Sequence, residues 1–180
     1  INTLMYQMTT QFTFYHELGH LVQKSDKLKS GLWERRNKSL EFDVIAHKME
    51  FDADTFAGVF LGGHIQQYCL KIFDEEINAA KVESIIEINT AFLLIYFLSF
   101  ETNKLDIYYE NYSHPYPNIR ILNLALNIPN YLQKSPKFKL KKITLHYKQI
   151  FIKPIQLAHQ IENVFYETNL QATFKKFWNS

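Results

Sequence analysis

The sequence predicts a mainly α fold in one domain, residues 1–180, with room for no more than a small sheet. Three observations carry that prediction. Only 5 glycines and 5 prolines punctuate 180 residues, which leaves long unbroken stretches and too few turn residues for a β-rich chain. Hydrophobic residues at 47% and charged residues at 21% are a globular balance, in a chain long enough to bury one core. Successive segments read as helices, and the one stretch open to a strand, Ile143–Ile152, fits neither the helical nor the strand period cleanly.

Thr3–Lys24 is expected to form a first helix with apolar residues on most of its faces. It breaks into the charged stretch Lys24–Lys38, which contains Gly31 and reads as a surface connection. A second helix should start after Ser39, a good N-cap, with Glu41 and Asp43 in the first turn, where the helix dipole favours acids. It should end near Leu61, at the pair Gly62-Gly63. Ile65–Phe73 and Glu75–Phe100 read as further helices. The most lipid-like run, Ile88–Phe100, covers 13 residues and is interrupted by Asn89 and Thr90. A bilayer span needs roughly 20, so a buried helix is expected and not a membrane span. Thr102–Pro117 is a polar, tyrosine-rich connection, and Pro117 suits the first turn of a short helix through Ile128. Pro129–Lys142 reads as basic and irregular, and Leu157, Ile161, Val164 and Phe165 mark a last amphipathic helix.

A net charge of +2 gives no reason to expect nucleic acid as a partner. The lone Cys69 cannot close an internal disulfide or supply a cysteine zinc cluster, so a cytoplasmic location is expected. The sequence begins at Ile1, without a signal-peptide pattern and already within helical pattern, as a chain lacking an N-terminal segment would. Oligomeric state is left open.

The chemistry concentrates in Phe14-Tyr15-His16-Glu17-Leu18-Gly19-His20-Leu21-Val22. His16 and His20 are four residues apart, so on a helix they share a face and can bind one ion. Glu17 lies beside them, placed to polarise a water at the metal and carry its proton. The same pattern could be a helix with two surface histidines, but apolar flanks at Phe12, Phe14, Tyr15, Leu18, Leu21 and Val22 argue for a buried active-site helix. A catalytic zinc takes three protein ligands and keeps a fourth position for water. Glu50 and Asp54 are four apart on the second helix: Glu50 is the expected third ligand, and Asp54 can accept a hydrogen bond from the second nitrogen of a ligating histidine. Two rivals exist. Asp26 would serve a compact HExxHxxGxxH site, although Gln23 stands where that turn needs glycine, and His47 lies one turn before Glu50.

Together these residues resemble the gluzincin peptidases, and among them the HtpX and CAAX-prenyl protease family, which joins HExxH to a downstream ExxxD. The match runs through His16–His20 and then Glu50-Phe51-Asp52-Ala53-Asp54, with Phe56, Ala57 and Gly58 behind. Ser113-His114-Pro115-Tyr116-Pro117-Asn118-Ile119-Arg120-Ile121 resembles the family's following Ser/Thr-His-Pro-Pro…Arg-Ile segment. The resemblance implies a zincin-like core, one catalytic Zn2+, a protein or peptide substrate, His114 at the oxyanion and Arg120 bracing the acids of the metal site. The family's membrane hairpins are missing, and the interval from Glu17 to Glu50 is short. Two other readings stand beside this zinc metalloendopeptidase. One is a phage-exclusion (Lit-like) protease aimed at a host protein, and the other a non-catalytic zinc-binding interaction protein.

Overall fold

The computed structural model describes residues 2–28, 44–99, 115, 117–146, 150, 152–158, 160 and 161. Helices α1 (Asn2–Leu28), α2 (Val44–Phe73), α3 (Ala79–Ser99), α4 (Pro117–Lys134) and α5 (Pro136–Leu140) account for most of them, with a 3-10 turn at Asp74–Glu76. Among the described residues there is no strand, so the mainly α expectation stands without a sheet.

α1 packs along α2, α2 packs along α4, and α3 closes against all three. The core is where they meet: Phe12, Leu61, Ile86, Leu93, Leu124 and Ile128 are among its buried members. Polar ties set the helices' register, with Thr13 Oγ1 and Tyr96 Oη 2.8 Å apart between α1 and α3. Tyr15 Oη and His64 Nε2, also 2.8 Å apart, do the same between α1 and α2.

The first helix lies where expected and extends to Leu28. Its apolar flanks are not all inside, however: Phe14, Leu21 and Val22 are exposed, because the buried face of α1 follows Met5, Met8, Phe12 and His16 at helical spacing. Ser39, Glu41, Asp43 and the charged connection after Leu28 lie outside the described residues.

The Gly62-Gly63 pair does not end the second helix. α2 runs through it to Phe73 and absorbs the separate helix expected at Ile65–Phe73. The physical reason is packing. A Cβ on Gly62 would sit 2.8 Å from Cδ1 of Tyr131 on α4, so glycine is there to let a tyrosine ring lie on the helix backbone.

α3 begins at Ala79, not Glu75, because Asn78 caps it: Asn78 Oδ1 accepts the Lys81 backbone N–H at 3.0 Å. By length and composition α3 could cross a bilayer, and half of its most apolar window is buried inside the protein. Pro117 opens α4 as expected. The helix nevertheless continues past Pro129 to Lys134. An interior proline forfeits one backbone bond and costs about 3 kcal/mol. Leu124, Ile128 and Leu132, all fully buried, hold the helix in its seat across the gap.

The segment Pro129–Lys142 is therefore largely helical and not irregular, and α5 ends in a hydrogen-bonded turn. Ile143 N–H bonds Phe138 O and Lys142 N–H bonds Lys139 O, each at 3.0 Å, while Lys142 takes φ 53°. This is a Schellman cap with lysine where glycine is usual, and buried Phe138 and Ile143 are its apolar contact. The ambiguous stretch then resolves. Ile143 and Leu145 are buried and their neighbours exposed, as in a strand, but side chains replace the partner strand. Gln133 accepts from Leu145 N and donates to Ile143 O, and Glu83 accepts from His146 N. Residues 152–158 are helical again, with Leu157 and Ile161 half-buried, while Val164 and Phe165 lie outside the described residues.

Candidate metal centre

The site forms where α1 and α2 approach closely. A Cβ on Gly19 would lie 3.1 Å from Cα of Ala53, so the glycine between the two histidines allows near backbone contact with α2. His16 and His20 project from α1 toward Glu50 and Asp54 of α2, one turn apart on each helix. His16, Glu50 and Asp54 are all buried, Asp54 completely, so the histidines do not form a solvated face.

One donor atom from each of His16, His20 and Glu50 lies within 4.8 Å of the others. His16 Nε2 is 3.2 Å from Glu50 Oε2, His20 Nε2 is 3.2 Å from Glu50 Oε1, and the two Nε2 atoms are 3.0 Å apart. Bonds of about 2.0–2.1 Å to a tetrahedral zinc put ligand atoms about 3.3 Å from one another. The observed triangle is close to that face, and two imidazoles with one carboxylate are a ligand set that zinc accepts. Residues and metal fit.

The outer nitrogens each face an acceptor oxygen. His16 Nδ1 lies 2.9 Å from Asp54 Oδ1, a short approach set off the ring's N–H axis, so its hold is more electrostatic than directional. Asp54 is itself clamped by Arg120, whose Nε and Nη2 donate to its two oxygens at 2.8 and 2.7 Å. Arg120 in turn lies over the ring of Phe97, 4.4 Å from its centroid. His20 Nδ1 is 3.1 Å from Gln23 Oε1, and Gln23 Nε2 donates to Met49 O at 2.8 Å.

Burial opposes a charge on His16, yet the Asp54 and Glu50 carboxylates beside it outweigh this and raise its pKa from 6.5 to about 9. Two carboxylates face one guanidinium here, leaving one negative charge to be answered. Without metal, a proton on His16 answers it; a cation among the three donors would do the same.

Of the expected site residues, His16, His20, Glu50, Asp54 and Arg120 come together. Glu17 is exposed on α1 beside them, and His114 lies outside the described residues. α1 continues unbroken through Asp26, so the chain makes no return turn there, and His47 is not among the converging donors. Sequence reasoning missed Gly19 as the crossing point, Gln23 as the partner of His20 and Phe97 under Arg120. Gln23 was legible in principle, since it is three residues after His20 on the same face; Phe97 was not, because only the tertiary fold brings α3 there. No protein-family model, curated protein or solved structure matches this chain.

Proposed function

We propose that this chain is a zinc-dependent endopeptidase of the gluzincin kind, with a zincin-like core built on α1 and α2. One observation carries the reading: two imidazole Nε2 atoms and the Glu50 carboxylate converge with separations of 3.0–3.2 Å, while Asp54 and Gln23 face the rings' other nitrogens. His16, His20 and Glu50 would hold one zinc ion, which supplies Lewis acidity to acidify a water and polarise a carbonyl.

Glu17 follows His16 on α1 and is exposed, so its carboxylate is open to solvent. Its role is to take a proton from the attacking water and pass it to the leaving amine. Asp54 and Arg120 form a bidentate, buried pair that holds the His16 ring in place. His114 immediately precedes buried Pro115 and lies six residues before Arg120. It is the residue that the family resemblance assigns to the developing oxyanion. The substrate is a protein or peptide.

The test begins with metal content by elemental mass spectrometry after dialysis. About one zinc per wild-type chain, reduced in Glu50→Gln, supports the ligand set. Hydrolysis of an unstructured protein such as casein should then stop with a chelator and in Glu17→Gln, while Glu17→Gln keeps its zinc. A folded wild type without zinc, or turnover that survives Glu17→Gln, would sink the proposal.

A further inference from the structure

We propose that Gln23 is a positioning residue of this centre. It sets the tautomer and orientation of His20 and, through the same amide, ties α1 to the backbone beside Glu50. The inference rests on the zinc reading above for its consequence, but its geometric claim can be tested without metal.

Gln23 lies one turn after His20 on α1 and is half-buried. Its amide can point two ways, and Met49 decides which. Met49 O is a carbonyl and only accepts, so the NH2 end of the amide must be the end 2.8 Å from it. The oxygen end is thereby left 3.1 Å from His20 Nδ1. An amide oxygen also only accepts, so Nδ1 carries a proton, and in the neutral ring Nε2 is left as a lone pair. Nε2 is the atom 3.2 Å from Glu50 Oε1 and 3.0 Å from His16 Nε2, the position where a metal would take it.

The second half of the amide acts on the other helix. Met49 immediately precedes Glu50 and is buried, so a bond to its carbonyl fixes the α2 backbone at the third ligand against α1. One side chain thus touches one ligand's ring and another ligand's neighbouring peptide. It does so without adding charge to a site that already holds Glu50, Asp54 and Arg120. The two histidines are set by different chemistry, His16 by a carboxylate and His20 by an amide.

Two variants separate the two tasks. Gln23→Met keeps the length and helix preference of the side chain but removes both hydrogen bonds. Gln23→Glu keeps an oxygen acceptor for His20 and loses the donor to Met49. Zinc dissociation constants of the wild type and both variants would be measured by competition with a chromophoric chelator. In parallel, long-range 15N–1H correlation spectra of the histidine side chains would be recorded on metal-free and zinc-loaded protein.

The expected result is a wild-type His20 protonated at Nδ1 in both states and zinc affinity about 10–100-fold weaker in Gln23→Met. His20 of metal-free Gln23→Met should become a mixture of tautomers, a change that loss of packing alone would not produce. Gln23→Glu should restore the Nδ1–H tautomer and bind zinc between the other two. An Nε2-protonated His20 in the wild type, or a Gln23→Met variant with wild-type tautomer and zinc affinity, would overturn the inference. A wild type that binds no zinc would overturn the metal reading instead, and the metal-free spectra would still decide the role of Gln23.

Discussion

Asp54 shows how much of the centre depends on a single residue. It has no solvent exposure, takes both nitrogens of the Arg120 fork, and faces His16 Nδ1 with one of the same oxygens. Asp54→Asn keeps the shape and removes the charge. Zinc affinity should fall about 10–100-fold as His16 loses its carboxylate partner. The fold should lose about 3 kcal/mol, because a nearly buried guanidinium loses its bidentate acceptor. Pairing that change with Arg120→Met removes the stranded cation, so denaturant unfolding should show stability partly recovered while chelator competition still shows weak zinc binding. Equal zinc affinity in wild type and Asp54→Asn would mean that His16 needs no carboxylate behind it. At this scale the converging residues were legible because HExxH and ExxxD each place two groups one helical turn apart. Gly19 was not, since only a second backbone 3.1 Å from its missing Cβ gives it a role.

Along the elements, the adjacent glycines Gly62 and Gly63 have opposite meanings. Both lie inside α2, where glycine costs about 1 kcal/mol relative to alanine. A Cβ at Gly62 would be 2.8 Å from Cδ1 and 3.3 Å from Cγ of Tyr131, rigid ring atoms held near the helix, whereas at Gly63 the nearest atom is the Tyr131 hydroxyl at 3.6 Å. Gly63→Ala should therefore stabilise the chain by up to about 1 kcal/mol. Gly62→Ala should destabilise it by about 1–3 kcal/mol as the ring or α4 is displaced. Paired thermal or denaturant unfolding reads both, and the same sign for the two would refute the packing account. The pair misled as a helix stop because glycine is common after helix ends, and the sequence does not say that an aromatic ring 69 residues after Gly62 needs the space. Pro129 misled in the same direction: buried leucines and isoleucines on both sides outweigh its local penalty.

For the molecule as a whole, Cys69 is a built-in reporter. It is fully buried in α2, and burial pushes its thiol pKa up from 9.0 to about 11, so the native thiol is neither reachable nor ionised at neutral pH. Labelling by a thiol reagent should then follow opening of the fold. Zinc bound across α1 and α2 shifts that opening equilibrium: at 100 times its dissociation constant it should slow labelling about 100-fold, equivalent to about 2.7 kcal/mol. Labelling that ignores zinc would place the metal away from the α1–α2 crossing or show that Cys69 is exposed by a local motion that leaves the centre intact.

The sequence by itself determined the helical class, His16 and His20 one turn apart on α1, and Glu50 with Asp54 one turn apart on α2. Each of these is a local consequence of 3.6 residues per turn and of scarce glycine and proline. Where the helices end was decided by tertiary structure, because α2 and α4 run through a glycine pair and a proline to keep buried faces in contact. So was the place of residues 143–146, whose backbone is met by Gln133 and Glu83 and not by a strand. The centre was assembled at that level too. Gly19, Gln23, Phe97 and Arg120 lie far apart or silent along the chain, and close packing of four helices brings them around one cluster.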